Sequence, residues 1–352
     1  MAKTGATRIF AGAGHSTTKS GERYPGGLFR TSADDGRWQA ITAGLPENVE
    51  ARAFLVHPLD PNVIYAGTQD GPYRSSDGGE HWERLGFPDR GAVVWSLACH
   101  PKQPRVMYAG CAPVAIYRSE NGGDTWKKLS AKSTGHCDMG FPTRTTRIAV
   151  DPGRPDDVYA ALEVSGVIRS TDGGDTWSDL STPLIKLSEQ PHLKSRIGSD
   201  IDAEGMLDSH AVAVTGGQVF LAVRMGLFRS DDRGESWRDM EIGRFSPLVY
   251  CRDVIVSPHD SRVMYACLSP ASRSTDGSLY RSDDVGKSWR RVDHDVKANA
   301  TMMAVSAHPG DPARVYCASR CGQVFGTENG GASWREYRLP PGVQDVYAVA
   351  CA

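Results

Sequence analysis

The sequence predicts an all-β protein: a single seven-bladed β-propeller of four-stranded antiparallel blades, one domain over residues 1–352. Three observations carry this. A short box of the form S-x-[DN]-x-G-x-[ST]-W recurs along the whole chain. Its tryptophans follow one another at 44 to 60 residues, a length that suits four short strands. No 3.6-residue apolar period accompanies the repeat, so a helical unit does not fit.

The clear boxes run from Ser75 to Trp82, Ser119 to Trp126, Ser170 to Trp177, Ser230 to Trp237, Ser282 to Trp289 and Thr327 to Trp334. A worn copy, Ser32 to Trp38, is one residue short before the Trp. Each position suits a tight turn. The Asp or Asn side chain accepts backbone N–H groups, and Gly supplies a backbone angle that other residues resist. The hydroxyl adds a local bond, and the Trp packs between blades. Turn chemistry accounts for every residue, so calcium or sugar binding at the box is not required.

The strands follow from the apolar runs around each box. Upstream lies one run, then a proline turn, then a second run. Ala51–Val56, His57-Pro58 and Val63–Gly67 show the pattern, as do Trp95–Cys99, His100-Pro101 and Val106–Gly110. It returns at Asp151-Pro152, Ser257-Pro258 and His308-Pro309. β-Branched and aromatic runs bounded by Pro, Gly and Asp read as strands of a meander. A third strand enters each box, as at Tyr73-Arg74-Ser75, and a fourth leaves from the Trp. The first run of the chain, Arg8–Gly12, has no inner strand before it. The C-terminal Tyr347–Cys351 matches Trp95–Cys99 in pattern. It is therefore expected to complete blade one and close the ring, which protects the strand edges.

The box pattern resembles the bacterial neuraminidase repeat, or Asp-box, family over essentially the whole chain. The resemblance implies the propeller. It does not choose a function, because the family spans sialidases, xyloglucan-degrading glycosidases, sortilin-type receptors and photosystem II assembly factors.

Composition narrows the classes. A net charge of −2 is too neutral for a nucleic-acid binder that relies on phosphate contacts. No apolar stretch approaches the roughly 20 residues of a membrane span. The N-terminus lacks an apolar signal core. None of the eight cysteines forms a C-x-x-C pair, so neither a zinc knuckle nor a disulfide framework is suggested. The expectation is a cytoplasmic protein without a cofactor, binding neither nucleic acid nor membrane.

Function is expected at the face opposite the boxes. With the turn proline as register mark, the first inner-strand positions are Arg52, Trp95, Thr146, His210, Arg252, Met303 and Tyr347. Two residues earlier stand Glu50, Arg144 and Asp208, among others. Glu163, Arg224 and Arg320 follow second strands. Guanidiniums in a concave site suit a carboxylate or phosphate, so Arg52, Arg144, Arg252, Arg224 and Arg320 are candidate ligand-binding residues, with Trp95, Glu50 and Glu163. His210 beside Asp208 reads as an oriented base, and Tyr347 as a proton donor. These three are the catalytic candidates. Long loops reach the same face: Trp126 to Thr146 with His136, Cys137 and Asp138; Trp177 to His210 with His192, Lys194, Arg196, Asp200 and Asp202; and Gly14 to Gly26 with His15, Lys19, Arg23 and Tyr24. A metal site from His15, His136 and His210 has only a shared face behind it and no ligand spacing.

Two functions remain. The first is an intracellular hydrolase or lyase acting on a small anionic or sugar-like molecule over the channel mouth; the long loops favour it. A sialidase proper is disfavoured, because the Arg-Ile-Pro motif of that family is replaced by Arg8-Ile9-Phe10 and Arg147-Ile148-Ala149. The second is a non-catalytic scaffold, similar to the photosystem II assembly factors, that binds a protein partner through an arginine-rich rim.

Overall fold

The computed structural model describes residues 6–17, 21–137, 140–198 and 201–352. Lys19, Asp138 and Asp200 lie outside them. The described residues form seven four-stranded antiparallel sheets and one two-stranded hairpin, Ser16–Thr17 with Arg23–Tyr24. Blade two shows the common order from the channel outward: Ala51–Val56, Ile64–Thr68, Gly71–Ser75 and Glu83–Arg84. Every residue of that second strand is buried, as in Val158–Leu162 and Val315–Ser319. Burial on both faces is why these segments read as unbroken apolar runs.

Blade one is closed as expected. Val346–Cys351 lies innermost, beside Arg8–Ala13, with Ile9 opposite Cys351 and Phe10 opposite Ala350. The two ends also exchange backbone bonds: Arg8 N–H donates to the Ala352 carbonyl at 2.8 Å, and Ala352 N–H to Arg8 at 2.9 Å. Apolar side chains of adjacent blades interdigitate. Tyr65 and Leu85 of blade two, for example, pack with Val94, Met107, Tyr117 and Trp126 of blade three.

Each clear box is a self-contained turn. Its first hydroxyl accepts the N–H of the Gly four residues on, at 2.6 to 2.9 Å. Its Asp or Asn accepts the N–H four residues on, at 2.8 to 3.0 Å. Those bonds hold the Asp172 carboxyl down to about 2, with the Ser170 and Thr176 hydroxyls contributing most. The worn first copy keeps only Asp35 N–H to the Ser32 hydroxyl, at 3.2 Å.

The arginine before the box hydroxyl latches successive blades together. Arg30, Arg74, Arg118, Arg169 and Arg229 donate to the carbonyls of Gly78, Gly122, Gly173, Arg233 and Val285, each in the next blade's box, at 2.7 to 3.4 Å. Tyr65 and Tyr108 hydroxyls join the Gly122 and Gly173 carbonyls at 3.1 and 2.9 Å. Blade six departs: Arg281 bonds Asp283 and the Tyr265 hydroxyl. At the ring seam Arg335 takes over, donating to the Ala33 carbonyl at 3.2 Å. The accepting residue is left-handed in every case before the seam, which Gly allows and Val285, at φ 60°, resists.

Two substitutions test the latch. Arg229→Ala removes a buried charged donor and should lower unfolding free energy by about 2 kcal/mol. Val285→Gly keeps the carbonyl and relieves the backbone, so it should leave stability unchanged or raise it by about 1 kcal/mol. Urea denaturation of both variants checks this; an Arg229→Ala protein as stable as its parent would remove the latch.

Candidate functional site: the channel mouth

Every inner strand carries a β-bulge at its upper end. The residue skipped in the pairing is Arg52, Trp95, Thr146, His210, Arg252, Met303 or Tyr347 in the seven blades. A bulge aims its extra side chain out of the ladder. All seven line the channel cavity, together with Arg147 and Asp253. The register read from the sequence therefore holds at all seven positions, including the two blades that lack the guiding proline. Residues after the second strands are tied to the mouth by backbone bonds. Glu163, Arg224 and Arg320 N–H groups donate to the carbonyls of Arg144, Asp208 and Thr301 at 2.9 to 3.1 Å.

On one side of the mouth the charges neutralise one another. Arg52 pairs with Glu50, and Arg144 with Glu163. Both guanidiniums lie over the Trp95 ring, at 4.7 and 4.0 Å from its centroid, and Arg52 also lies over Tyr347 at 4.4 Å. Trp95 and Tyr347 meet edge to face at 5.2 Å. The Nε groups of Arg52 and Arg144 are buried without a hydrogen-bond acceptor. The ring faces take their place. Glu50 also accepts the His15 N–H at 2.8 Å.

On another side stands His210, with only 3% of its side chain exposed. Its Nδ1–H donates to the Cys251 carbonyl at 2.7 Å. Nε2 faces the Tyr250 hydroxyl at 3.2 Å and Asp208 at 3.3 Å. The tyrosine at His210 is thus Tyr250, whereas Tyr347 packs with Trp95 and Arg52. Burial works against the Asp208 charge, but the His210 imidazole, Arg252 and Arg224 outweigh it and hold the carboxyl below its ordinary range. Both ring nitrogens of His210 are occupied by protein groups, which fits a fixed support better than a base open to substrate.

Arg252 and Arg224 are half-buried, and among the described residues neither guanidinium makes a hydrogen bond or ion pair. Both still act on Tyr250. Burial raises its phenol, and Arg252, Arg224 and Arg320 oppose that rise. Arg320 is paired with Asp345 at 2.5 Å.

The channel itself is narrow, with a cavity of about 70 Å³. That admits a few waters and no sugar ring. A pair not foreseen from the sequence crosses it: Arg147 of blade four reaches Asp253 of blade six at 2.5 Å, and Asp253 also accepts the Val305 N–H of blade seven at 3.1 Å. Arg147 and Asp253 each directly follow a bulge position, and that offset was the available signal.

The three candidate metal ligands have separate partners. His15 Nε2–H donates to the Asn48 carbonyl at 2.8 Å, and His136 meets Asp179 at 2.5 Å. Among the described residues no group of three His, Cys, Asp or Glu side chains is arranged to hold a metal. The described part of the Trp177–His210 loop carries secondary structure. Its helix Thr182–Leu187 and its turn at Glu204–Leu207 bury Leu184 and Met206 against Leu221 and Val223, and Glu204 accepts the Gly198 N–H at 2.8 Å.

If His210 is a support, His210→Ala should cost about 2–4 kcal/mol of stability, because it strands a buried carboxylate. Arg252→Ala should change stability by less than about 0.5 kcal/mol. The pH dependence has a definite sign. The folded Asp208 carboxyl is depressed, so its ionised form stabilises above about pH 4, and that contribution is lost as pH falls further. Asp208→Asn should lack this part of the acid limb in urea titrations run from pH 6 to 3.

No protein-family model matches the chain. It is 29% identical to Xyloglucanase Xgh74A of Acetivibrio thermocellus over 294 residues, covering 68% of this chain and 32% of that protein. The chain spans about a third of the length of the curated relatives it matches. Among solved structures, the Niastella koreensis GH74 enzyme aligns with a TM-score of 0.60 at 17% identity, over 81% of this chain and 45% of that one. YCF48 from Cyanidioschyzon merolae aligns with a TM-score of 0.55 at 16% identity, over 86% and 90%. This chain is a seven-bladed β-propeller similar in fold to GH74 xyloglucanases and to YCF48.

Proposed function

We propose that this chain is a binding propeller that captures a small carboxylate- or phosphate-bearing molecule at the channel mouth through Arg224 and Arg252. One observation carries the reading. Each acid placed at the mouth is matched by a cation or imidazole of the protein, whereas these two guanidiniums have no hydrogen-bonding partner among the described residues. Both guanidiniums act on Asp208 without bonding it, which leaves their forks open, and the guanidinium fork suits a carboxylate or phosphate. Acid–base catalysis has less support here, since Glu50, Glu163 and Asp345 are all tied to arginines. The likeness to YCF48, solved in one case bound to D1 peptide, also favours a non-catalytic role, with an acidic group of a protein partner as the variant ligand. The thiols of Cys99, Cys111, Cys251, Cys267, Cys317, Cys321 and Cys351 form no disulfide, which favours a reducing compartment, and we place the protein in the cytoplasm.

A hydrolase acting on glucan chains is the second reading, favoured by the xyloglucanase relatives. The two are separated by thermal shift and by turnover. Succinate, citrate or inorganic phosphate at about 100 times its dissociation constant should stabilise the parent by about 2.7 kcal/mol. Arg224→Ala and Arg252→Ala should abolish that gain. Equal stabilisation of the variants, or none in the parent, would sink the binding reading. Release of reducing ends from xyloglucan would replace it with the hydrolase.

A further inference from the structure

Beside the mouth, and separate from Arg224 and Arg252, lies a groove of about 610 Å³ between the blade-one hairpin, the blade-six loop around Arg273, and the Arg320–Asp345 pair. Its volume falls within the range of small-molecule sites, unlike that of the channel. Most of its lining side chains carry a polar group. Ser16, Thr17 and Thr275 contribute hydroxyls that have no protein partner among the described residues, and Arg273 contributes an exposed guanidinium in the same condition.

Asp345 is the unusual residue. It sits in the left-handed region at φ 50°, a conformation that costs free energy outside glycine and clusters at functional sites. Its backbone is held there by two bonds: its carbonyl accepts the Gly14 N–H at 3.1 Å, and the following Val346 N–H donates to the Arg320 carbonyl at 3.1 Å. One carboxylate oxygen, Oδ1, takes both Arg320 bonds, at 2.6 and 2.5 Å. No bond to Oδ2 is found among the described residues. Arg320 is itself anchored to the Ser272 carbonyl at 3.2 Å. The groove thus offers one fixed acceptor, several hydroxyls able to donate or accept, and a cation with no counter-charge.

We propose that this groove binds a monosaccharide-sized polyol bearing one anionic group, a sugar acid or a sugar phosphate. Arg273 takes the anionic group, Asp345 Oδ2 accepts a ligand hydroxyl, and the Ser and Thr hydroxyls meet the others. The assignment rests on the reading of this face as an anion-binding surface, but it uses different residues. No Phe, Tyr or Trp is among the lining residues, and the His15 ring nitrogens are engaged by Asn48 and Gly26, so an acyclic or cyclic polyol held by hydrogen bonds fits better than a stacked glucan chain.

Isothermal titration calorimetry with glucuronate, glucose 6-phosphate and glucose tests this on the parent, Arg273→Ala, Asp345→Asn and Arg252→Ala. One or both anionic sugars should bind the parent, and glucose at least tenfold more weakly. Arg273→Ala should weaken the anionic sugar at least tenfold, and Asp345→Asn should weaken glucose and the anionic sugars alike. Arg252→Ala should leave the Arg273-dependent component of binding unchanged, and any component it removes belongs to the mouth. Whichever of glucuronate and glucose 6-phosphate binds more tightly identifies the anionic group. Binding that survives Arg273→Ala but is lost in Arg252→Ala would overturn the groove and leave the mouth reading standing. Loss in Arg273→Ala alone, with no succinate or phosphate effect at Arg252, would support the groove and remove the mouth. No heat with any sugar overturns the proposal.

Discussion

The guanidinium that blades one to five each extend to the next blade's box turn underlies the rest of the structure. A propeller blade alone is a short sheet with two open edges and one unburied face. The Arg–carbonyl bond fixes the rotation from one blade to its neighbour at the rim, where packing alone would leave it loose. It also explains why the box repeats so faithfully. The box hydroxyl and Asp shape the turn, the left-handed residue points its carbonyl outward, and the preceding blade's arginine takes it. The pairing of Arg8–Ala13 with Val346–Cys351 then closes the circle, with Arg335 serving the seam where the worn box offers Ala33 instead.

With the blade angles fixed, the inner strands converge, and their bulges turn seven side chains toward the channel. A narrow channel brings charges close enough to compensate one another. Arg52 and Arg144 share Trp95 and keep Glu50 and Glu163; Arg147 spans to Asp253; His210 is held by Cys251, Tyr250 and Asp208. Most charges at the centre of the ring are therefore paired, Arg252 excepted. The Arg224, Arg252 and Arg273 guanidiniums of blades five and six have no hydrogen-bond partner among the described residues. The likeness to both a glycosidase and an assembly factor is consistent with this, because a propeller fixes a frame and leaves the rim free to vary.

Much of the fold could be read directly from the residues. The box tryptophans gave the blade count, the proline turns gave the register, and Tyr347–Cys351 gave the closure. Each of these rests on local chemistry repeated at a fixed period, which needs no knowledge of distant contacts. The same register placed Arg52, Trp95, His210 and Tyr347 at the mouth, because a bulge position travels with its strand. The arginine latch was also written in the sequence, as the Arg before the box hydroxyl at Arg74, Arg118, Arg169 and Arg229, although its partner lies a whole blade away.

What the sequence could not decide was which of the mouth residues are already satisfied. Tyr250 and Tyr347 stand in neighbouring register positions, yet one meets His210 and the other meets Trp95. Arg144 and Arg224 look alike in the chain, but only Arg144 finds a carboxylate. The Arg147–Asp253 pair joins residues 106 positions apart. Local pattern sets strand, turn and bulge because those depend on neighbouring backbone. Pairing across a channel depends on where seven strands meet, and that exists only once the ring is closed.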